Sequence, residues 1–133
     1  MIGLSVSLWA DFSKDNITNI VTDNTTGLQW QDNATPVTMT WTAAINYCEA
    51  LTLGGQSDWR LPNFNELYFL ADRSKSNPAI DSTFQNVVSN DYWSSITVVG
   101  NENYAWLVDF NGGGDNLYRK SDSYYARCVR DGQ

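Results

Sequence analysis

The chain has 133 residues, which is enough for one domain with a hydrophobic core and too few for a second. Its net charge of −7 argues against nucleic acid, anionic lipid or sulfated polysaccharide as a partner held by general electrostatic attraction. The absence of histidine excludes Ser-His-Asp and Cys-His nucleophiles and every His-ligated metal centre. We therefore expect a single domain over residues 1–133 that does not bind nucleic acid.

No apolar run approaches the length that spans a bilayer, so we expect no membrane insertion. The opening stretch MIGLSVSLWADF has a short apolar part but no basic leader, and we expect that any export signal has already been removed. Charged residues are only 17%, and Asn, Ser and Thr supply much of the polar surface. That balance is common in extracellular bacterial proteins.

Apolar residues at helical spacing predict two helices. The first ends at Gly54-Gly55, because glycine favours the backbone conformation that terminates a helix. The second begins after Pro62, where Asn63 and Glu66 have the spacing of a capping box. The predicted buried stripes are Trp41, Ala44, Ile45, Cys48 and Leu51 in the first helix, and Phe64, Leu67, Leu70 and Ala71 in the second.

Alternating residues bounded by Gly- and Asn-rich turns predict the β-strands. Residues 23–27 form the turn of an early hairpin, with glycine at its end. Further along the chain, Trp106, Val108 and Phe110 share one face, which is typical of a half-buried antiparallel strand. Strands are predicted at residues 20–22, 28–30, 92–98, 104–110, 117–121 and 124–130.

The stretch DWRLPNFNEL, residues 58–67, combines an indole, a guanidinium, a proline and a helix start. A catalytic arginine needs a nucleophile or a base nearby, and the local sequence offers neither. We interpret the stretch as a structural latch, in which Arg60 bonds backbone carbonyls or a carboxylate such as Asp58 at the helix entry. The members of this latch are Trp59, Arg60, Pro62, Asn63 and Glu66.

A Gly-rich turn contains candidate metal ligands. Asp109, Asn111 and Asp115 supply alternating oxygen ligands like the start of a calcium loop. Lys120 stands where a calcium helix-loop-helix motif has its closing glutamate, and the flanking segments are predicted strands. A polar hairpin turn is the preferred interpretation, with calcium as the one candidate cofactor.

The two cysteines do not form a CxxC redox or metal motif, since Cys48 falls in a helical pattern and Cys128 in the strand-like stretch ARCVR. Two interpretations are open. The pair is either two buried free thiols or one disulfide between helix and strand, and the disulfide implies an oxidising compartment.

Six sequence blocks occur in the order found in one bacterial family. The blocks are Thr26-Gly27-Leu28-x-Trp30, Trp41-x-x-Ala44-x-x-Tyr47-Cys48, Asp58-Trp59-Arg60-Leu61-Pro62-x-x-x-Glu66-Leu67, Tyr92-Trp93-Ser94-Ser95, Ala105-Trp106-x-Val108-x-Phe110 and Arg127-Cys128-Val129-Arg130. Their order resembles the family typified by the C-terminal domain of the Legionella collagen-like adhesin, and the similarity runs from about Val21 to Arg130.

This resemblance implies an α+β, C-type-lectin-like fold related to the formylglycine-generating-enzyme domains. Two helices would pack on a small antiparallel sheet with long loops. In such folds a long disulfide joins the first helix to the last strand, where Cys48 and Cys128 fall. The family usually has Thr where this chain has Asn63, and both residues can cap a helix. The adhesin domain is associated with sulfated polysaccharides, but this chain is acidic, so we do not carry that ligand over.

The ligand surface of lectin-like folds usually includes the long loop region, which corresponds here to residues 87–104. Strand alternation exposes some of the tyrosines nearby, and exposed Tyr beside Asn and Asp commonly contacts sugars and proteins. The alternative is that these rings pack under loops. The turns at 100–103 and 111–116 should lie at opposite ends of the sheet, and the net charge favours neutral or cationic ligands. The candidate ligand-binding residues are Asn90, Asp91, Tyr92, Asn101, Glu102, Tyr104, Tyr118, Lys120 and Tyr124.

We therefore expect a non-enzymatic binding or adhesion domain of an exported bacterial surface protein, with a glycan or a surface protein as its partner. One alternative is a homo-trimeric assembly module of a fibre or phage-like tail, and another is a copper-dependent oxidase of the formylglycine-generating type. A related alternative is a diversified ligand surface, as in retroelement-varied proteins of this fold. The expected location is extracytoplasmic: secreted, at the cell surface or periplasmic.

Overall fold

A computed structural model describes residues 11–132, so the prediction for the opening segment lies almost entirely outside the described residues. Within this range no helix is long and apolar enough to cross a membrane. The helices are α1 (Trp41–Glu49) and α2 (Phe64–Leu70). The strands are β1 (Phe12–Asp15), β2 (Ile20–Asp23), β3 (Gln29–Gln31), β4 (Thr38–Met39), β5 (Asp91–Val98), β6 (Asn101–Asp109), β7 (Asp115–Arg119), β8 (Tyr124–Tyr125) and β9 (Val129–Arg130).

The strands of the described chain form two sheets. One has the order β1-β2-β3-β9, and the other has the order β4-β8-β5-β6-β7. Every named strand pair is antiparallel except β5 with β8, which run parallel. The α+β prediction is confirmed, but the expected small antiparallel sheet is replaced by two sheets, because the chain after β8 crosses from the second sheet to the first.

That crossing corrects the prediction of one strand over 124–130. Tyr125 pairs with Thr38 in the second sheet, whereas Val129 pairs with Trp30 in the first. The residues between β8 and β9 are buried, and among them Arg127 is only 3% exposed. Burial therefore continues through the segment, and a strand pattern alone does not reveal where the chain changes sheets.

The first helix ends earlier than expected. The Thr40 side chain accepts a hydrogen bond from Ala43 N–H, which is the N-cap arrangement for α1. The helix ends at Glu49, and Gly54 and Gly55 instead form a turn with φ of 61° and 75°. These glycines supply left-handed backbone conformations outside the helix rather than at its end.

The second helix starts at the predicted capping box. Asn63 Oδ1 accepts from Glu66 N–H at 2.8 Å, and Glu66 Oε1 accepts from Asn63 N–H at 2.9 Å. Leu67 and Leu70 form its buried side. The preceding Pro62 cannot donate a backbone hydrogen bond, but its carbonyl accepts one from Ser95 N–H in β5. The start of α2 is therefore attached to the central strand.

Strand β6 is buried on both faces over part of its length, which corrects the prediction of a half-buried strand. Val108 faces the apolar cluster around α2, and Leu107 faces the cluster around the disulfide. Each of these residues is 0% exposed. A strand that lies between two apolar clusters needs apolar residues at consecutive positions. The alternation of apolar and polar residues along β6 is therefore weakest where the strand is most buried.

A disulfide joins Cys48 in α1 to Cys128, which immediately precedes β9, with 5.4 Å between the two Cα atoms. The prediction of a helix-to-strand disulfide is confirmed. Both cysteines are fully buried and pack with Trp59 and Trp93. The bond therefore connects the helix of one cluster to the strand that closes the first sheet.

A buried carboxylate that the sequence did not single out connects several loops. Asp32 is 0% exposed, and its two oxygens accept from Lys14 Nζ at 2.7 Å and from Arg127 at 3.3 Å. The backbone N–H groups of Gln85 and Asn86 donate to the same carboxylate at 2.9 and 3.0 Å. These donors come from three parts of the chain: Lys14 in β1, the loop at residues 85–86, and Arg127 before β9. Asp32 therefore holds together segments that are far apart in the sequence.

Candidate functional site

The candidate ligand residues divide between opposite ends of the β5–β6 hairpin. Asp91 pairs with Asp109 at one end, and Val98 pairs with Asn101 at the other. Eight residues of strand separate these ends by roughly 20 Å. Asn90 and Asp91 therefore cannot share a compact site with Asn101 and the following residues, which corrects the proposed grouping within residues 87–104.

Two candidates are buried and cannot contact a ligand at the surface. Tyr92 is 1% exposed, and its hydroxyl accepts from Val88 N–H at 3.0 Å. Asp91 is 7% exposed and accepts from the Asn116 side chain at 2.8 Å, and burial raises the pKa of its carboxyl. Both predictions are wrong as surface contacts, because the strand packs in the interior at this end.

The remaining candidates lie on two different faces of the sheet. Tyr104 pairs with Arg119, so these two side chains share one face, whereas Tyr118 and Lys120 lie on the other. There the Tyr118 ring stacks on Tyr124 with 4.7 Å between ring centroids. The Lys120 ammonium lies 4.0 Å above the Trp41 ring and donates to Thr97 at 2.9 Å. Strand alternation therefore separates Tyr104 from Tyr118, Lys120 and Tyr124.

One open surface is built from the first of these faces. Alternation along β6 and β7 brings together an acidic, two aromatic, one aliphatic and one basic side chain. We call it the β6–β7 surface; its residues are Glu102, Tyr104, Trp106, Leu117 and Arg119. Leu117 is 43% exposed, which is high for an aliphatic strand residue. At one end of the β6–β7 pair is a depression of about 470 Å³, lined by Tyr104 and Arg119 of this surface and also by Asn103, Lys120 and Ser121, which do not belong to it.

The charge in this depression is not neutralised by an ion pair. Arg119 Nε donates to the Tyr104 hydroxyl at 3.2 Å, and this bond is the main reason that the pKa of Arg119 is raised. Within residues 11–132, neither Arg119 nor Lys120 forms an ion pair, while Lys14, Arg60, Arg127 and Arg130 all do. An acidic protein therefore has an exposed guanidinium beside an aromatic ring, with Glu102 nearby.

These groups suit recognition by hydrogen bonding and stacking. The guanidinium and the amide of Asn103 can donate, the carboxylate of Glu102 can accept, and the Tyr104 ring offers an apolar face. Arg119, Trp106 and Leu117 were not among the predicted site residues. Spacing from Tyr104 along β6 identifies Glu102 and Trp106 as residues on the same face. Arg119 and Leu117 join them through the pairing register of β6 with β7, which the sequence does not reveal.

The Gly-rich turn does not gather its candidate metal ligands. Asp115 pairs with Val108, so strand alternation puts its side chain on the face opposite Asp109. Asp109 Oδ1 already accepts from Asn111 N–H at 2.8 Å. In the described part of the chain, no group of three or more His, Cys, Asp or Glu side chains could hold a metal ion. Calcium binding stays untested, and this geometry gives it no support.

The latch has different partners from those expected. Arg60 forms a two-bond pair with Glu66, each bond 2.7 Å long, and also bonds Asp131. Asp58 does not bond Arg60, because its carboxylate accepts from Arg130 instead. The Arg60 backbone exchanges two hydrogen bonds with Val129 in β9. The segment therefore connects the start of α2 to the end of the chain.

The carboxylate of Glu66 serves both the helix cap and the ion pair. Burial raises the pKa of Glu66, but the bonds from Arg60 and from Asn63 N–H outweigh burial, so the pKa lies below its ordinary value. The bond to Glu66 is the main reason that the pKa of Arg60 is raised, and the bond to Asp131 adds to it. These groups are both charged at neutral pH and satisfy one another, which leaves a structural role for the arginine.

We expect Arg60→Ala to lower the free energy of unfolding by about 1–3 kcal/mol, because Glu66 loses a charged partner at a half-buried position. Glu66→Ala should cost at least as much, because it removes the same ion pair and also half of the capping box. Glu66→Gln is the matched control, since an amide can still cap the helix and should destabilise less. Urea unfolding measures all three variants. A fully stable Arg60→Ala protein that has lost binding would contradict the latch.

The structure thus defines a small disulfide-bonded α+β domain with an open, mixed-polarity sheet face. The model of the Lcl C-terminal domain family matches residues 19–130, which is most of the chain. The chain belongs to this family, as the sequence blocks had indicated. A search of curated proteins found no match to the chain.

Proposed function

We propose that this chain is a non-enzymatic binding domain that recognises a glycan or a surface protein through the β6–β7 surface. The observation that carries the proposal is the depression beside Tyr104, where an aromatic face meets an Arg119 guanidinium that forms no ion pair with the described residues. Membership of an adhesin-type family supports the same class of function. Mixed donors and acceptors favour a ligand rich in hydroxyl or amide groups.

The buried cysteine pair supports a binding role over an oxidase of the formylglycine-generating type. An oxidase of that type would carry out a copper-dependent oxidation and would need two nearby active-site cysteines. The chain has two cysteines, and they are bonded to each other with both side chains 0% exposed. No thiol is left to bind copper, and the disulfide contributes to the fold instead.

The disulfide also supports an extracytoplasmic location, since disulfides persist mainly in oxidising compartments. We infer a secreted, cell-surface or periplasmic protein for this reason together with the adhesin-type family. A C-type-lectin-like arrangement is part of the same proposal, supported by the helix-to-strand disulfide. The homo-trimeric assembly module is the alternative, and the solution mass of the purified chain tests it.

We expect Tyr104→Ala to weaken binding about tenfold, because it removes the aromatic face of the depression. A glycan and protein array, screened with and without calcium, would first identify the ligand. Direct binding measurements would then compare Tyr104→Ala and Glu102→Ala with Tyr47→Ala, a tyrosine on α1 that is 39% exposed. Binding should persist at moderate salt, since hydrogen bonds and stacking are screened less than long-range attraction.

Two results would contradict this placement. One is unchanged affinity in both β6–β7 variants with loss of affinity in Asp109, Asn111 or Asp115 variants, which would move the site to the Gly-rich turn. The other is equal weakening by Tyr47→Ala, which would show that any aromatic loss acts through stability. A ligand that binds only with calcium would add a cofactor to the proposal.

A further inference from the structure

Strand β7 is the outermost strand of its sheet, so one of its edges is open. Among residues 11–132 it pairs with β6 and with no other strand. Because bonded and unbonded residue pairs alternate in an antiparallel ladder, the backbone groups of residues 115, 117 and 119 point away from β6. The bonds that fix this alternation are Lys120 N–H to Asn103 C=O at 2.8 Å and Asp109 N–H to Gly114 C=O at 2.7 Å.

The outward backbone groups of β7 can pair with a further strand. The Arg119 carbonyl accepts from Asp122 N–H at 2.9 Å, which uses one of these groups. Within the described range, no hydrogen bond involves the others, which are the Arg119 N–H and both groups of Asp115 and Leu117. The open edge therefore has donors and acceptors for an added strand.

The side chains of the same three residues carry charges that are symmetric about the middle one. Asp115, Leu117 and Arg119 lie on one face of β7 and are all exposed, Leu117 by 43%. Neither Asp115 nor Arg119 forms an ion pair with any described residue. An acidic side chain thus precedes Leu117 by two residues, and a basic one follows it by two residues. Such a strand is complementary to a second copy of itself running in the opposite direction.

We propose that two copies of this chain pair antiparallel through their β7 strands, on a twofold axis at Leu117. In this register Leu117 lies opposite Leu117 of the second copy, and Asp115 lies opposite its Arg119. The axis repeats every contact, so the ion pair forms twice. The outward groups of Leu117 bond their equivalents, and Arg119 N–H bonds the Asp115 carbonyl of the other copy. The pairing also covers the exposed Leu117 side chain.

The order of the charges selects this direction and this register. Charges on an edge strand commonly prevent pairing with another strand. A parallel pairing in the same place would put Asp115 opposite Asp115 and Arg119 opposite Arg119, and like charges directly opposite are destabilising. A shift of two residues would put a charged side chain opposite Leu117. The antiparallel register centred on Leu117 matches both charges at once, which is why the second copy is the partner that the edge fits.

This dimer does not depend on the function proposed for the β6–β7 surface. The twofold axis is perpendicular to the sheet, so the β6–β7 surfaces of the two copies lie on the same side and form one continuous face. Arg119 belongs to both the edge and that surface. A guanidinium has five N–H donors, so Arg119 can pair with the carboxylate of the second copy and still donate to Tyr104 and to a ligand.

Sedimentation of the purified chain over a range of concentrations tests the proposal, at about 0.15 M salt to screen the repulsion between two chains of net charge −7. The paired edge is short, so we expect a reversible monomer–dimer equilibrium with a dissociation constant on the order of 100 μM. Arg119→Glu should raise this constant at least about tenfold, since both ion pairs become repulsions. The double variant Asp115→Arg, Arg119→Glu restores opposite charges and should return the constant to within about threefold of the parent value.

Lys75→Glu is the matched control, since it changes the net charge as Arg119→Glu does, at an exposed residue outside β7. Weakening by this control as large as that by Arg119→Glu would overturn the proposal, and so would a double variant that does not recover. A monomeric mass up to about 1 mM would also overturn it, as would a trimeric mass, which would support the assembly module. Asp115→Arg is a second disrupting variant, so a folding defect in Arg119→Glu leaves the test intact.

Discussion

Replacing Asp32 by alanine should lower the free energy of unfolding by about 3–5 kcal/mol, which is a large part of the stability of a small domain. The Lys14 ammonium and the Arg127 guanidinium are 5% and 3% exposed, and the substitution leaves both without their carboxylate. Two backbone N–H groups of the 85–86 loop lose their acceptor as well. Buried charges without a counter-ion are costly, so the loss exceeds that of an ordinary surface ion pair.

Matched variants separate the lost charge from the lost packing. Asp32→Asn keeps the volume and one acceptor oxygen, and should destabilise less than Asp32→Ala but still strongly. Lys14→Met removes one cation, yet leaves Asp32 with Arg127 and the loop amides, so its effect should be smaller. Asp115→Ala is a surface control that should stay within about 0.5 kcal/mol. Urea unfolding gives each value, and an Asp32→Ala protein as stable as Asp115→Ala would contradict the role of this carboxylate.

Local signals in the sequence were sufficient for the start of α2 and for the buried side of α1. The capping box needs only residues 63 and 66, and the amphipathic stripe of α1 needs only helical periodicity. The helix-to-strand disulfide followed from the family resemblance. The end of α1 was misplaced, because Gly54 and Gly55 occupy a separate turn that lies close enough to suggest a helix end.

Features that depend on pairing between distant segments were not predictable. Asp32 occurs in the unremarkable stretch QDN, and nothing local indicates that Lys14 and Arg127 converge on it from 18 residues before and 95 residues after it. The two-sheet arrangement was missed for the same reason. The sheet to which a strand belongs depends on the strand it pairs with, and not on its own pattern of apolar residues.

The candidate site illustrates how register decides function. Tyr104, Tyr118 and Tyr124 look equivalent as exposed-strand tyrosines in the sequence. Pairing Tyr104 with Arg119 puts one ring on the open face, and the shift of one residue puts Tyr118 on the other. The sequence identifies the aromatic residues, but it does not show which of them share a face, because that depends on the hydrogen-bonded register between strands.

Breaking the Cys48–Cys128 bond should destabilise the domain by roughly 4–5 kcal/mol, because the bond closes a loop with a sequence separation of 80. Restricting so long a loop removes many conformations from the unfolded chain, and the restriction is lost on reduction. The melting temperature should fall by about 10–20 °C for a domain of this size. The double variant Cys48→Ala, Cys128→Ala should behave similarly, apart from the additional loss of two small buried groups.

The comparison must separate loss of the crosslink from side effects of the reductant. The double variant is the control, since a reducing agent should lower the melting temperature of the parent chain and leave the variant unchanged. Thiol titration of the unfolded, non-reduced chain should detect no free thiol, because both cysteines are in the bond. Two titratable thiols would contradict the disulfide and remove its support for an extracytoplasmic location. Equal stability with and without reductant would instead mean that strain in the folded state offsets the restriction of the unfolded chain.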